Sequence, residues 1–232
     1  MANRYYAPEL TSAEGEFLLV GSEAHHLATV CRAKVQEPVI LFNGQGLSAT
    51  GRILEISKKQ VLISLDKAVL SPSPVDRTLG VAFPKGDRAL ILVEKCVELG
   101  VARLVPLITE RTVTQPGEGK RDRLERAVIE ACKQSGRDYL MRIDPPTKLA
   151  DVLQEGEGWM LDLSGDWISA QSSPMASRII VGPEGGWSDA ERAAADNLGW
   201  KRVRVARGIL RVETAAIALA AQAAWMDTMN KS

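Results

Sequence analysis

Strand-like and helical patterns alternate from about residue 79 to the C-terminus, and this alternation constrains the fold more than any other feature of the chain. Apolar runs typical of buried strands stand at 79–86, 101–108, 141–146, 158–163, 178–182 and 200–206. Helical patterns stand at 89–99, 124–134, 148–154, 188–198 and 211–229. Parallel strands need a crossover connection, usually a helix, so the alternation predicts an α/β fold whose parallel sheet is covered on both faces.

The N-terminal part of the chain has a different rhythm. Short β-branched runs at 17–20, 38–44, 48–56 and 60–70 are separated by Gly, Asn and Lys turns, as in a small β-barrel. A helical segment at 22–32 interrupts them, with Ser22 as its expected N-cap. Ser and Pro at 71–76 indicate a linker. We predict an N-terminal β-barrel domain at 1–72 and a parallel-sheet domain at 73–232.

The composition restricts what the chain can bind. Lys plus Arg and Asp plus Glu each number 29, so the formal net charge is zero and no global field attracts the protein to nucleic acid or to an anionic membrane. Any RNA contact must come from a local patch. No apolar stretch approaches the roughly 18–20 residues of a membrane helix, and the N-terminus lacks the apolar region of a signal peptide. We therefore expect a cytoplasmic protein.

Neither the cysteines nor the histidines indicate a metal site. Cys31, Cys96 and Cys132 are widely spaced and form no CxxC pair, so we expect buried small side chains rather than a disulfide framework or zinc ligands. His25 and His26 are adjacent, and on a helix they would point about 100° apart, which excludes two ligands on one helix face. No metal is expected.

Residues 181–191, VGPEGGWSDAE, place a rigid turn with few side chains between a strand and a helix. Ligands of parallel α/β sheets bind beyond the carboxyl ends of the strands, and the three glycines let a ligand approach the main chain. Ser188 and Glu191 have the spacing of a capping box that begins a helix. The turn is neither GxGxxG nor a P-loop. A Glu beside the glycines suits a ligand with amino, amide or cationic character.

A second unusual stretch, 202–225, runs from a strand through a Gly-containing loop into a helix rich in alanine. Two interpretations remain open. The helix is buried against a neighbouring element or a dimer partner, which requires small side chains. Alternatively, Arg211, Glu213 and Thr214 form part of a ligand site, because the free amides of a first helical turn offer donors to a carboxylate or a base.

Both stretches resemble signature loops of a known family. VGPEGGWSDAE and ILRVETA are similar to the two conserved loops of the SPOUT-class ribosomal RNA small subunit methyltransferase E family, which methylates N3 of a uridine. Three further segments resemble that family: EAHHLATVCR at 23–32, EKCVELGV at 94–101 and EACKQSGR at 130–137. The similarity extends over most of the chain.

The resemblance implies a fold, a cofactor and an assembly. It implies a C-terminal parallel-sheet domain tied in a trefoil knot, a small N-terminal β-barrel of PUA or OB type, and a homodimer. S-adenosylmethionine is the implied cofactor, held in the knot. The residues implied to bind it are Leu163, Val181, Gly182, Pro183, Glu184, Gly186, Val205, Ala206, Ile209, Leu210, Thr214 and Ala215.

The chain departs from the family pattern just before ILR. The family has Leu-Gly-x-Arg at this point, whereas this chain has Val205-Ala206-Arg207-Gly208. An alanine in left-handed geometry would cost about 1 kcal/mol or more. We therefore expect Gly208 to take the left-handed conformation and Arg207 to supply the charge.

The implied reaction assigns roles to charged residues. Uridine N3 carries a proton and is a weak nucleophile, so methyl transfer needs a proton acceptor and close placement of the methyl group. Glu213 or Glu184 can accept the proton, and Arg211 can stabilise the uridine anion. We expect Arg211 and Glu213 to act on the base.

The implied substrate is 16S ribosomal RNA in the small ribosomal subunit, where unstacked bases and shape can be recognised. The residues that the resemblance implies for RNA contact are Arg4, His26, Arg32, Lys85, Gln134 and Arg137. Three alternatives remain: a related methyltransferase acting on a ribose 2′-hydroxyl or a transfer RNA, a non-catalytic RNA-binding or ribosome-assembly factor, and a metabolic enzyme using the same cleft. The barrel domain disfavours the last.

Overall fold

The computed structural model describes residues 3–11, 14–112, 118–168 and 176–229, with the backbone alone at 118–120. Tertiary contacts divide the chain into two compact units. The first contains Met1–Pro74 and Ile129–Leu140, and the second contains Val75–Val128 and Met141–Ser232. The predicted domain boundary between residues 72 and 73 therefore stays a prediction, because the contacts place the segment Ile129–Leu140 in the same unit as the N-terminal part of the chain.

The first unit is built on a five-stranded sheet. Its elements are β1 (Asn3–Tyr6), β2 (Gly15–Val20), α1 (Gly21–His25), a π-helical turn (His26–Val30), β3 (Pro38–Phe42), β4 (Leu47–Ile56) and β5 (Gln60–Leu70). The strand order is β1-β3-β4-β5-β2. The β1 and β3 strands are parallel, and the other neighbours are antiparallel. The expected Ser22 cap is wrong: α1 begins at Gly21 directly after β2, so Ser22 lies inside the helix.

One apolar core holds this unit together. Val61, Ile63 and Leu65 alternate along β5 and are buried, as expected for a strand with one face on a core. Asp138, in the segment Ile129–Leu140, accepts hydrogen bonds from the hydroxyls of Ser48 and Ser71 at 3.1 and 2.6 Å. Those bonds fix the end of that segment against β4 and the chain after β5.

The second unit contains the predicted parallel sheet. Its elements are β6 (Thr78–Val81), α2 (Arg88–Glu98), β7 (Arg103–Ile108), α3 (Glu118–Ser135, which continues into the first unit), β8 (Arg142–Ile143), β9 (Thr147–Lys148), α4 (Leu149–Leu153), β10 (Trp159–Trp167), β11 (Arg178–Val181), α5 (Asp189–Asn197), β12 (Lys201–Arg204) and α6 (Val212–Met229). The order is β12-β10-β11-β6-β7-β8, with β9 beside β7. Every pairing among these described strands is parallel, which confirms the predicted α/β class.

Burial follows the predicted pattern in the second unit. All four residues of β6 are buried, because both faces of the sheet are covered. The α2 helix buries Leu92, Val93, Cys96 and Val97 on one side. Burial also raises the pKa of the Cys96 thiol to about 12, as expected of an inert cysteine. The expectation for Cys31, in the first unit, is wrong: the residue is exposed, because it follows the π-helical turn as the chain leaves the core.

Candidate active site

A cavity of about 290 Å³ lies at the carboxyl ends of β11 and β12 and beside residues 161–163 of β10, where the pairing of β10 with β12 is interrupted by a register shift. These strands are neighbours and run parallel, so the segments that follow them meet at one edge of the sheet. Of the twelve residues expected to bind a cofactor, eleven line this cavity: Leu163, Val181, Gly182, Pro183, Glu184, Gly186, Val205, Ala206, Ile209, Leu210 and Ala215. Thr214 does not line it and is exposed on α6, because Ala215, the next residue along the helix, faces the cavity instead.

The glycine turn, residues 182–186, is held by its own backbone and by a buried tryptophan. The Gly186 N–H donates to the Pro183 carbonyl at 2.8 Å, and Gly186 has a φ of +69°, the left-handed region that favours glycine. Trp187 packs so closely on Gly182 that a Cβ there would lie 2.8 Å from the ring. The Trp187 indole N–H donates to the Leu161 carbonyl at 2.8 Å, which ties the turn to β10.

The predicted capping box is confirmed, and its glutamate, Glu191, also accepts a hydrogen bond from outside the motif. The Ser188 hydroxyl accepts from the Glu191 N–H at 3.2 Å, and the Glu191 carboxylate accepts from the Ser188 N–H at 2.8 Å. The second carboxylate oxygen of Glu191 accepts from the Glu110 N–H at 2.9 Å. Arg111 donates to the Gly185 carbonyl at 2.7 Å. Two residues after β7, Glu110 and Arg111, therefore hold the glycine turn and the first turn of α5 in place through hydrogen bonds.

The cavity wall also contains a charged group that the motifs did not indicate. Asp162 follows Leu161 on β10 and accepts from the Arg192 guanidinium at 2.7 Å and from the Ser164 N–H at 2.8 Å. Burial opposes ionisation of Asp162, but these donors outweigh it and hold the pKa of the carboxyl below its ordinary value. The signal available in the sequence was an acidic residue near the end of a buried strand.

Arg204, at the end of β12, also lines the cavity. Its guanidinium lies over the Trp167 ring at 4.4 Å from the centroid. Its Nε is buried and makes no hydrogen bond to the described residues. The wall thus combines apolar surface with one ion pair and one stacked cation.

The backbone of residues 205–208 differs from our expectation. Among the described residues, the non-glycine positions with positive φ are Arg32 and Gln36, so Ala206 is unstrained. Gly208 does not have positive φ either, and the proposed transfer of left-handed geometry to it is wrong. The loop follows a path that Ala206 can adopt, and the departure from the family pattern carries no backbone penalty at this position.

A second cavity, of about 220 Å³, lies beside the first along the same sheet edge. It is formed by residues after β6, by Thr112 after β7, and by Pro183 and Glu184 of the glycine turn, which line both cavities. Lys85, expected to contact RNA, is exposed and lines this second cavity.

The two residues expected to act on the base lie in different environments. Arg211 is exposed just before α6, and its carbonyl accepts the N–H of Ala215. Glu213 is buried in the first turn of α6 and lies outside the walls of both cavities. Its Oε2 makes no hydrogen bond to the described residues and lies 3.7 Å from the Arg88 guanidinium. Direct contact between Glu213 and a ligand therefore requires movement, whereas Arg88 already lies in the second cavity.

The other residues expected to contact RNA belong to the first unit. Arg32 and Gln134 are exposed, and His26 is partly buried in the π-helical turn. The Arg4 guanidinium is bound by Asp138 and stacks on Phe42, 4.9 Å from the ring centroid, which gives it a structural role. Burial lowers the pKa of Arg137, whose carbonyl accepts a hydrogen bond from Arg4.

The described residues contain no cluster of three or more His, Cys, Asp or Glu side chains suited to a metal ion. None of the helices in the described ranges combines the length and apolar character needed to cross a membrane.

Comparisons with known proteins agree with the geometry. A family model described as an RNA methyltransferase domain matches residues 71–224, and one described as an RNA methyltransferase PUA domain matches residues 19–66. A Rickettsia conorii protein named ribosomal RNA small subunit methyltransferase E is 31% identical, over 95% of this chain and 94% of its own length. A Synechocystis protein with that name is 28% identical, over 96% of this chain and 77% of its own.

Solved structures give the same result. A Neisseria gonorrhoeae ribosomal RNA small subunit methyltransferase E, bound to S-adenosyl methionine, is 30% identical with a TM-score of 0.87, covering 99% of this chain and 98% of its own. The predicted family and its SPOUT-type parallel-sheet domain are therefore confirmed. This chain belongs to the ribosomal RNA small subunit methyltransferase E family of RNA methyltransferases.

Proposed function

We propose that this protein transfers a methyl group from S-adenosylmethionine to N3 of one uridine in 16S ribosomal RNA of the small subunit. The observation that carries the proposal is the cavity at the ends of β11 and β12 and beside the middle of β10, where the glycine turn and residues 204–215 meet. Two relatives of this chain are named ribosomal RNA small subunit methyltransferase E, and one of them, a solved structure, is bound to S-adenosyl methionine.

The chemistry of the cavity wall fits this cofactor. Bare backbone at Gly186, where a Cβ would meet nothing within 4 Å, lets an adenosine group approach the main chain, and Leu163, Val205 and Leu210 supply apolar surface for it. The carboxylate of Asp162 suits the positively charged amino group of the cofactor. S-adenosylmethionine supplies a methyl group on a positively charged sulfur, which leaves as a neutral thioether.

The charged residues around the cavity have separate tasks in this proposal. Arg211, exposed before α6, stabilises the anionic uracil as its N3 proton leaves. Glu213 acts from its buried position by orienting Arg88. Replacement of either residue by alanine should lower the turnover while cofactor still binds, as measured by isothermal titration calorimetry. Unchanged turnover in both variants would remove them from the mechanism.

The assembly and the path of the chain also belong to the proposal. Residues 204–215 form the thread of a trefoil knot, and two copies associate as a homodimer that acts on ribosomal subunits in the cytoplasm. The exposed Arg32 and Gln134 of the first unit, and Lys85 of the second, contact RNA. Light scattering after size-exclusion chromatography measures the assembly, and a mass of one chain, 25.2 kDa, would contradict the dimer.

The decisive experiment uses isotope-labelled S-adenosylmethionine and small ribosomal subunits from a strain that lacks this methylation. After incubation, the RNA is digested and the labelled nucleoside is identified. Labelled 3-methyluridine at one position is expected. Label on a ribose 2′-hydroxyl or on transfer RNA would identify a related reaction instead. Binding to subunits with no label would favour an RNA-binding or assembly factor.

A further inference from the structure

The second cavity adjoins the first at the residues that both share. Its wall contains the apolar side chains of Phe83, Pro84 and Pro183, and the polar side chains of Lys85, Arg88, Thr112 and Glu184. Pro183 and Glu184 also line the first cavity. A ligand in the second cavity therefore lies next to any methyl donor in the first.

The groups in this wall match one kind of ligand. A planar nucleobase has apolar faces and a polar edge, which suits apolar side chains combined with a few donors and acceptors. The edge of uracil that carries N3 presents an acceptor, a donor and an acceptor in sequence. Lys85 and Arg88 offer donors, and Glu184 offers an acceptor. The wall thus carries the complementary groups.

Glu184 and Glu213 differ in what they can reach. The Glu184 side chain is 61% exposed and lines both cavities, whereas that of Glu213 is only 10% exposed and lines neither. The guanidinium of Arg88 lies between them, 3.5 Å from Glu184 and 3.7 Å from Glu213. Both distances are those of ion pairs without a hydrogen bond, so Arg88 orients the carboxylates while keeping donors for a ligand.

We propose that the second cavity receives the target uracil, that Glu184 accepts its N3 proton, and that Arg88, backed by Glu213, is the positioning residue for Glu184. The inference rests on the proposed function. The N3–H bond breaks, and its proton joins the Glu184 carboxylate to give a carboxylic acid. The electron pair left on N3 forms the bond to the methyl carbon, while the carbon–sulfur bond breaks with its pair on sulfur.

The arrangement also determines which pyrimidine reacts. Cytosine presents an unprotonated N3 with a lone pair in place of the N–H, and the Glu184 carboxylate would meet that lone pair. Two acceptors facing each other leave both without a hydrogen bond, which costs binding. Subunits with cytidine at the target position should therefore remain unmethylated.

Glu184→Gln tests the proton acceptor, because it keeps the size of the side chain and removes its basicity. At saturating S-adenosylmethionine and neutral pH, we expect kcat to fall about 10²- to 10³-fold. Raising the pH ionises the uracil without an acceptor, so kcat of the variant should rise about tenfold per pH unit while the wild type stays nearly constant. Cofactor affinity, measured by calorimetry, should change less than about twofold. Glu94→Gln, on the exposed side of α2, is the matched control and should behave as the wild type.

Arg88 variants test the positioning role. Arg88→Lys keeps the charge and should retain part of kcat, whereas Arg88→Gln should lose most of it with cofactor affinity unchanged. A thermal melt of each variant shows that the fold is intact, and Glu184→Asp, which withdraws the carboxylate by one methylene, provides a second measure if Glu184→Gln is unstable.

The following outcomes would overturn parts of this proposal. A Glu184→Gln variant with wild-type kcat, or with a loss that high pH does not restore, would overturn the assignment of the acceptor. Loss of cofactor affinity alone would place Glu184 in the first cavity only, and would overturn it too. Equal kcat for Arg88→Lys and Arg88→Gln would remove Arg88 as the positioning residue. If the wild type neither binds S-adenosylmethionine nor forms 3-methyluridine, the proposed function itself fails, and the variants are not needed to show it.

Discussion

The first cavity has two walls that are built in opposite ways. The glycine turn is held by its own backbone bond, by Arg111, by the capping box and by the buried Trp187. Residues 205–210 form the other wall, and no turn, cap or side-chain hydrogen bond to another described residue holds them. Ile209, in this wall, is 82% exposed. One wall is preorganised, and the other is available to be ordered by a ligand.

The difference predicts which substitutions in the site reduce folding stability and which reduce only cofactor affinity. Interactions that hold the turn are already formed in the free protein, so changes there should reduce the free energy of unfolding and the cofactor affinity together. Changes in the loop 205–210 should reduce affinity alone, because few native interactions are lost in the free protein.

The largest effect is expected for Trp187→Ala. Trp187 is only 2% exposed and lies in the core with Met160 and Ile180, so its removal should lower the free energy of unfolding by about 3–5 kcal/mol. Trp225→Ala, at a residue that is 49% exposed, should cost less than half as much. Urea unfolding followed by circular dichroism measures both, and equal losses would mean that Trp187 does not anchor the turn.

A pair of glycine substitutions compares the two walls directly. Gly186→Ala places a side chain at a φ of +69° and should cost about 1–2 kcal/mol of unfolding free energy, although space for the methyl group is available. Gly208→Ala adds a methyl group in open space without backbone strain and should leave stability within about 0.5 kcal/mol or raise it slightly. Similar losses in urea unfolding would contradict the contrast between the walls.

Ile209→Ala should separate affinity from stability. The side chain is mostly exposed in the free protein, and cofactor binding should cover part of it. Loss of that contact should cost about 1 kcal/mol, or about fivefold in the dissociation constant for S-adenosylmethionine. The melting temperature should stay unchanged. A lower melting temperature with full affinity would show that the loop is ordered before the ligand arrives.

The smallest effect concerns Asp162 and appears only with pH. Because the pKa of Asp162 is lowered in the folded protein, its ionisation stabilises the fold above the ordinary pKa of about 4. This stabilisation is lost as the pH falls through the folded-state value. The difference in melting temperature between wild type and Asp162→Asn should be constant from about pH 7 to 5 and shrink below about pH 4. A constant difference down to pH 3 would assign the effect to hydrogen bonding alone.

Features that depend on neighbouring residues could be predicted from the sequence. The capping box needs only the three-residue spacing of Ser188 and Glu191, and the glycine turn needs only residues without side chains beside a strand. Eleven of the twelve expected cavity residues lie in the wall because the two local motifs follow β11 and β12, the two strands that flank β10. The burial of Cys31 and the sign of φ at Gly208 were predicted wrongly. Both depend on the path of the folded chain beyond the local segment, which the neighbouring residues do not determine.

By itself the sequence determined that strands and helices alternate, that the sheet is parallel, and that the glycine turn lies at a carboxyl edge, since periodicity and turn chemistry act over a few residues. Only the tertiary structure decided which distant charges meet. Arg192 binds Asp162 in the wall, and Arg88 lies between Glu184 and Glu213. These contacts join residues far apart in the chain, and their partners are chosen by the order of strands in the sheet, which no local pattern encodes.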